Sequence, residues 1–188
     1  MSRALIELVP IGNLDAEVLD FLALVLPETL PVSCRIHNHP IEVESAYDPR
    51  RRQYSSTALL AQLVRGYRNP AAKVLGVTEV DLFIPILTFV FGEAQLGGRA
   101  AVLSLHRLDQ RFYGMPEDRR LLLERCEKEA LHELGHTFGL VHCLDVECVM
   151  HFSNSVEHVD LKSNAFCASC RDLVHAAITR LATEPESS

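Results

Sequence analysis

The chain has 188 residues, 48% of them hydrophobic, with 18 basic against 25 acidic side chains and a formal net charge of −7. That content supports one domain with a sizeable core, and the negative balance argues against nucleic acid as a partner, because phosphate binding needs a basic patch. The apolar runs are broken by charges or by Pro85 well short of the ~20 residues of a membrane span, and Met1 to Pro10 has neither a cationic leader nor a long apolar stretch. A soluble, cytoplasmic protein without a membrane partner is expected, and it is taken as a monomer.

Ala4 to Ile11 alternates toward a strand and ends at Gly12-Asn13. Asp15 to Leu26 has helical apolar spacing and stops before Pro27. A second strand, Val32 to Ile36, leads to a turn at His37-Asn-His-Pro40, whose two histidines, two apart, suit no helix face and read as a surface loop. Tyr47 to Arg52 reads as polar loop, with the arginines at 50 to 52 solvated. Ser55 or Ser56 caps a helix running to about Tyr67, broken at Asn69-Pro70. Val74 to Val77 and Val80 to Leu87 are β-rich, Thr88 to Gly92 is extended, and the nearly all-apolar Ala100 to Leu105 reads as a central strand. Strands interleaved with helices define an α/β sandwich.

Pro116, followed by Glu117 and Asp118, signals a helix from Pro116 to Leu140. Within it His132 and His136, four residues apart, stand on one face, so both imidazoles reach a single zinc ion. Glu133, about 100° further round, lies beside the open coordination position, where it can act on a water molecule. Gly139 can adopt positive φ, end the helix and bring His142 to the same metal. Leu123, Ala130, Leu131, Leu134 and Phe138 cluster on the opposite side, spoiled only by Glu127. A bare His-Glu-x-x-His is a weak signal; the extension through Gly139 and His142 is far rarer.

Beyond His142 the chain turns irregular, with Met150 in a loop, until a closing helix, Ala168 to Ala182, presents Leu173, Val174, Ala177, Ile178 and Leu181 as its buried stripe. Residues 183–188 read as a polar tail. Cys143 and Cys148, then Cys167 and Cys170, make two close pairs that suit a closed tetrahedral zinc site. Two disulfides are the competing reading, disfavoured by the absence of a secretion signal. Binding as thiolates would cancel the four charges of two zinc ions, so the net charge stays at −7. Cys34 and Cys126 are left over, and Cys126 reads as a small buried hydrophobe.

The spacing from His132 to His142 with the downstream Met150 resembles the metzincin clan of zinc peptidases. Cys143, Cys148 and Cys167-x2-Cys170 resemble, within it, the archaemetzincin family; Phe89 to Ala94 and Ser104 to Leu108 resemble that family's upper-rim strand and central strand. The resemblance implies a mixed, largely parallel sheet with an antiparallel edge strand, a zinc helix beneath it and a Met-turn at Met150 under the metal. It also implies His132, His136 and His142 as ligands of a catalytic zinc, Glu133 as base, and Cys143, Cys148, Cys167 and Cys170 as ligands of a second, structural zinc. Several metzincins carry a tyrosine soon after the Met-turn methionine, and none follows Met150 here; His158 and Asn154 are candidates for its role, an ordinary loop role being preferred.

The function expected is hydrolysis of peptide bonds in a peptide or protein substrate, by a water at the catalytic zinc activated by Glu133. Phe89 to Phe91 would pair with the substrate backbone. The domain is expected to span residues 1–182, with the sheet and active-site helix in 1–142 and the Met-turn, cysteine site and last helix in 143–182. The alternative is a catalytically silent, zinc-stabilised binding domain with an occluded cleft.

Overall fold

A computed structural model describes residues 4–69 and 72–183. Strands β1 (Ala4–Ile11), β2 (Val32–Ile36), β5 (Ala72–Thr78), β7 (Gly92–Ala94) and β8 (Ala100–Ser104) form one sheet in the order β2-β1-β5-β8-β7. All neighbours are parallel except β7, which runs antiparallel to β8 with Gly92 opposite Leu103. Every residue of β5 and β8 is buried, because a parallel sheet is covered on both faces. The two-residue strands β3 (Tyr47–Asp48) and β6 (Leu82–Phe83) flank β4 (Gln53–Ser55) in a separate small sheet.

Helices α1 (Ala16–Thr29) and α3 (Arg119–Thr137) pack together, and α3 lies against β7 and β8; α2 (Ser56–Gly66) covers the other face. Helix α4 (Val156–Leu161) and helix α5 (Ala168–Thr183) close the chain. One core joins Ile6, Leu8, Leu22 and Leu103 to Ala130, Leu134 and Met150. A second, beneath α2, gathers Val9, Leu59, Leu63 and Val102. Among the described residues no helix is long and apolar enough to cross a membrane.

Several boundaries differ from the sequence reading. Helix α1 runs through Pro27 to Thr29. The proline costs about 3 kcal/mol in a helix interior, but it falls in the last turn, and burying Leu26 and Leu30, each worth about 1.5–3 kcal/mol, outweighs that. Helix α3 begins at Arg119, not Pro116, because the Asp118 side chain accepts the Leu121 N–H at 3.0 Å and so caps it. It ends at Thr137, not Leu140. Gly139, at φ 94°, donates its N–H to the His136 carbonyl, and Leu140 donates to the Gly135 carbonyl, which closes the helix with a Schellman turn.

Tyr47–Asp48 is strand rather than loop, but the arginines at 50 to 52 are the exposed turn of the β3–β4 hairpin, as expected, and Arg51 donates to the carbonyls of Leu87 and Pro85 while stacking on Phe83. His37 stands in the loop expected, with its ring edge-on to Tyr67 at 4.7 Å and 3.5 Å from Glu7. Ser104 ends β8, so Leu105 to Leu108 form the turn beyond it rather than a strand. On α3 Leu122 takes the core position expected for Leu123, and on α5 Leu173 is 61% exposed while Cys170, Val174 and Ile178 are buried. Thr183 is the last residue of α5; the rest of the expected tail, 184–188, and Pro70, read as the breaker of α2, lie outside the described residues.

Candidate metal centre and cleft

Helix α3 delivers His132, Glu133 and His136, and the turn at Gly139 delivers His142. The three imidazoles converge so that one nitrogen from each lies within 4.8 Å of the others. His132 Nδ1 donates to the Val149 carbonyl at 2.8 Å and His136 Nδ1 to the Leu140 carbonyl at 2.7 Å. A carbonyl can only accept, so each Nδ1 carries the proton and each Nε2 offers its lone pair. The two Nε2 atoms stand 3.1 Å apart. Two nitrogens each roughly 2.0–2.1 Å from one ion at the tetrahedral angle stand about 3.3 Å apart, so the pair fits zinc.

Charge favours the same occupant. Burial first, then the Lys162 ammonium and His136, hold His132 well below the ordinary histidine value. Burial also lowers His136 and, with His136 beside it, His142. All three shifts favour the neutral imidazole that a metal ligand requires. Glu133 is 5% exposed, and burial followed by Glu129 pushes its carboxyl well above the usual range against the pull of Lys162.

Two glycines make room for this machinery. A Cβ on Gly135, in mid-helix, would lie 2.4 Å from the sulfur of Met150, which is fully buried. A Cβ on Gly92 would lie 2.6 Å from Glu133 Oε1 and 2.7 Å from the Val102 carbonyl. The antiparallel edge strand is β7 at Gly92–Ala94, the second half of the expected Phe89 to Ala94 segment; Phe89 to Phe91, expected to pair with substrate, lie outside it on the rim, with one bridge from Val90 to Leu82. Rim and helix enclose a cleft of about 530 Å³ whose lining includes Phe89, Glu93, Glu133, His142 and Asn154. His158 is exposed on α4 and does not line it.

The four cysteines gather beside the histidines. Their sulfurs all lie within 4.8 Å of one another, and Cys143 Sγ stands 3.8 Å from Cys167 Sγ. Four sulfurs about 2.3 Å from one ion at tetrahedral corners stand about 3.8 Å apart, whereas a disulfide needs about 2.05 Å. Donation from the Cys170 N–H pulls the Cys167 thiol down, while burial pushes Cys148 and Cys170 up. A cation is what lets such a cluster hold its thiolates together. Burial pushes the Cys34 thiol up to about 11 and that of the fully buried Cys126 higher still, which disfavours the reactive thiolate in both.

Sequence reasoning missed the groups behind the histidines. Lys162 is fully buried, its ammonium 2.9 Å from Glu129 Oε1. Arg125 grips Asp160 with two bonds of 2.7 Å and donates to the Leu108 carbonyl. Glu129 was findable, standing one helical turn before Glu133; Lys162 carried no local signal.

This fold, with its open cleft and histidine and cysteine groups, defines a zinc metallopeptidase of the metzincin kind. Residues 24–176 match the model of peptidase family M54. The archaemetzincin of Pyrococcus furiosus is 44% identical over 184 residues, covering 89% of this chain and 91% of that one. The crystal structure of archaemetzincin from Methanopyrus kandleri superposes with a TM-score of 0.81 at 38% identity, covering 95% of this chain and 97% of that one; the one from Archaeoglobus fulgidus gives 0.78 at 39%, covering 90% and 99%. The chain belongs to peptidase family M54, the archaemetzincins, and a peptidase of this family acts on peptide or protein substrates.

Proposed function

We propose that His132, His136 and His142 hold a catalytic zinc ion, that Cys143, Cys148, Cys167 and Cys170 hold a second, structural one, and that Glu133 is the general base of peptide-bond hydrolysis. The observation that carries this is the position of the Glu133 carboxylate on the cleft wall beside three converging imidazoles. When bound, the catalytic ion supplies a Lewis acid and brings the pKa of water down toward ~7.

The chain's own residues supply the rest. Glu133 accepts a proton from the attacking water and returns it to the leaving amine. Its burial and the neighbouring Glu129 raise its proton affinity, which suits an acceptor. Among the described residues β7 has a sheet neighbour on one side only, so an extended substrate can add to its other edge through main-chain bonds. Met150 packs under Gly135 as the Met-turn and keeps α3 at its depth. Residues 1–182 act as one catalytic domain, monomeric and cytoplasmic, where reduced thiols suit the cysteine site.

The silent, occluded domain is disfavoured by the exposed ring of His142 and the open cleft. Digestion of a random peptide library by the zinc-loaded protein, with and without chelator, tests the reading. Chelator-sensitive cleavage supports it, and uncleaved peptides in both arms overturn it.

A further inference from the structure

The Lys162 ammonium is the most deeply buried cation in the described chain, and its surroundings connect the two metal groups. Besides Glu129 Oε1 at 2.9 Å, it lies 3.4 Å from the His151 carbonyl and 3.5 Å from His132 Nδ1. It thus touches α3 at two points and the loop just beyond Met150 at a third. The residues after it are zipped to the other side of that loop. Ser163 donates its N–H and its hydroxyl to the Glu147 carbonyl at 2.9 and 2.8 Å, and Val149 donates its N–H to the Ala165 carbonyl at 2.9 Å. Val149 then accepts His132 Nδ1 through its own carbonyl, and two residues beyond Ala165 the Cys167 N–H donates to Cys148 Sγ at 3.3 Å.

A buried charge is expensive, and an apolar pair of similar volume would often serve stability as well. Stability alone therefore gives little reason for a Lys162–Glu129 pair at this place. Its position gives another: the Val149 carbonyl that accepts from the far nitrogen of His132 sets the ring's orientation and with it the metal affinity, and Lys162 braces the loop that carries this carbonyl by donating to the His151 carbonyl. We propose that Lys162, clamped by Glu129, is a positioning residue for the histidine site: through the His151 carbonyl it fixes the loop whose Val149 carbonyl holds the His132 ring, and it carries the rigidity of the cysteine cluster to that ring. The proposal rests on the reading of the histidines as a zinc site.

The test compares the parent with Lys162→Met, Glu129→Gln and the double variant, in which no charge is stranded, using zinc and cobalt(II) as probes and chelator competition for affinity. The histidine site of Lys162→Met is expected to lose about 10–100-fold in metal affinity, with altered cobalt d–d bands, while the sulfur-to-cobalt charge-transfer band of the cysteine site stays at its parental intensity. The double variant is expected to regain thermal stability without regaining that affinity, and it decides the matter alone if the single variant does not fold. Parental affinity and d–d bands in either variant would overturn the positioning role. A parent that binds no metal through its histidines would instead defeat the underlying zinc reading.

Discussion

The sulfur of Met150 occupies the space a side chain on Gly135 would need, 2.4 Å from where its Cβ would stand. A glycine in mid-helix is ordinarily a weakness of about 0.5–1 kcal/mol relative to alanine, so here alanine's helix preference and the packing oppose each other. The packing wins, because the core around Met150 is closed and Phe166 Cε1 is also within 3.4 Å. Gly135→Ala is expected to cost about 1–3 kcal/mol net, read as a drop of several degrees in Tm. Met150→Ala alone should cost about 2–5 kcal/mol, and combined with Gly135→Ala it should lose clearly less than the sum of the two single losses, because the clash is then gone.

Gly92 tests the cleft wall in the same way. Its substitution by alanine pushes against Glu133 and the Val102 carbonyl at once, and only the glutamate can move. Gly92→Ala is expected to lower kcat by up to about 10²-fold through displacement of the carboxylate. Zinc content, measured by metal analysis, should stay parental because no histidine is touched.

The metal-free protein should be squeezed by pH from both sides. His132 sits below its ordinary value of 6.5, so the folded chain binds fewer protons than the unfolded one, and stability is lost as pH falls below 6.5 toward the folded value. Glu133 sits above its ordinary 4.5; its contribution is present below 4.5 and is lost as pH rises through the raised folded value. Urea midpoints recorded across this range should fall at both ends, and Glu133→Gln should remove only the alkaline loss. Zinc should protect at neutral pH and lose its hold in acid as the imidazoles protonate.

Cys167 anchors the segment that, through Ala165 and Val149, reaches His132. Cys167→Ser is therefore expected to lower zinc occupancy at both sites rather than one. Metal analysis giving loss of a single ion together with normal activity would show the two sites to be independent.

Much of this site is local and so legible in the chain. A spacing of four puts His132 and His136 on one face of any helix, and Gly139 does take the positive φ that returns His142. The cysteine pairs are brought together as their spacing implies. What escaped depends on tertiary environment. Lys162 has no local pattern that marks it, and only tertiary packing against Glu129 of α3 and the His151 carbonyl buries it. Phe89 to Phe91 have strand composition but serve the rim, because the ladder to β8 starts at Gly92, where the close approach of Glu133 demands a residue without a side chain. Pro116 reads as the helix start, yet the first turn begins at Arg119, because it is the Asp118 carboxylate that bonds the Leu121 N–H.

The most direct trial is a side-by-side comparison of zinc-loaded parent and Glu133→Ala, measuring metal content and cleavage of the same peptide mixture. With Glu133 as the base, both proteins carry the same zinc and the variant cleaves about 10²–10⁴-fold more slowly. A variant that cuts as fast as the parent at equal zinc would mean that this carboxylate moves no proton in the reaction.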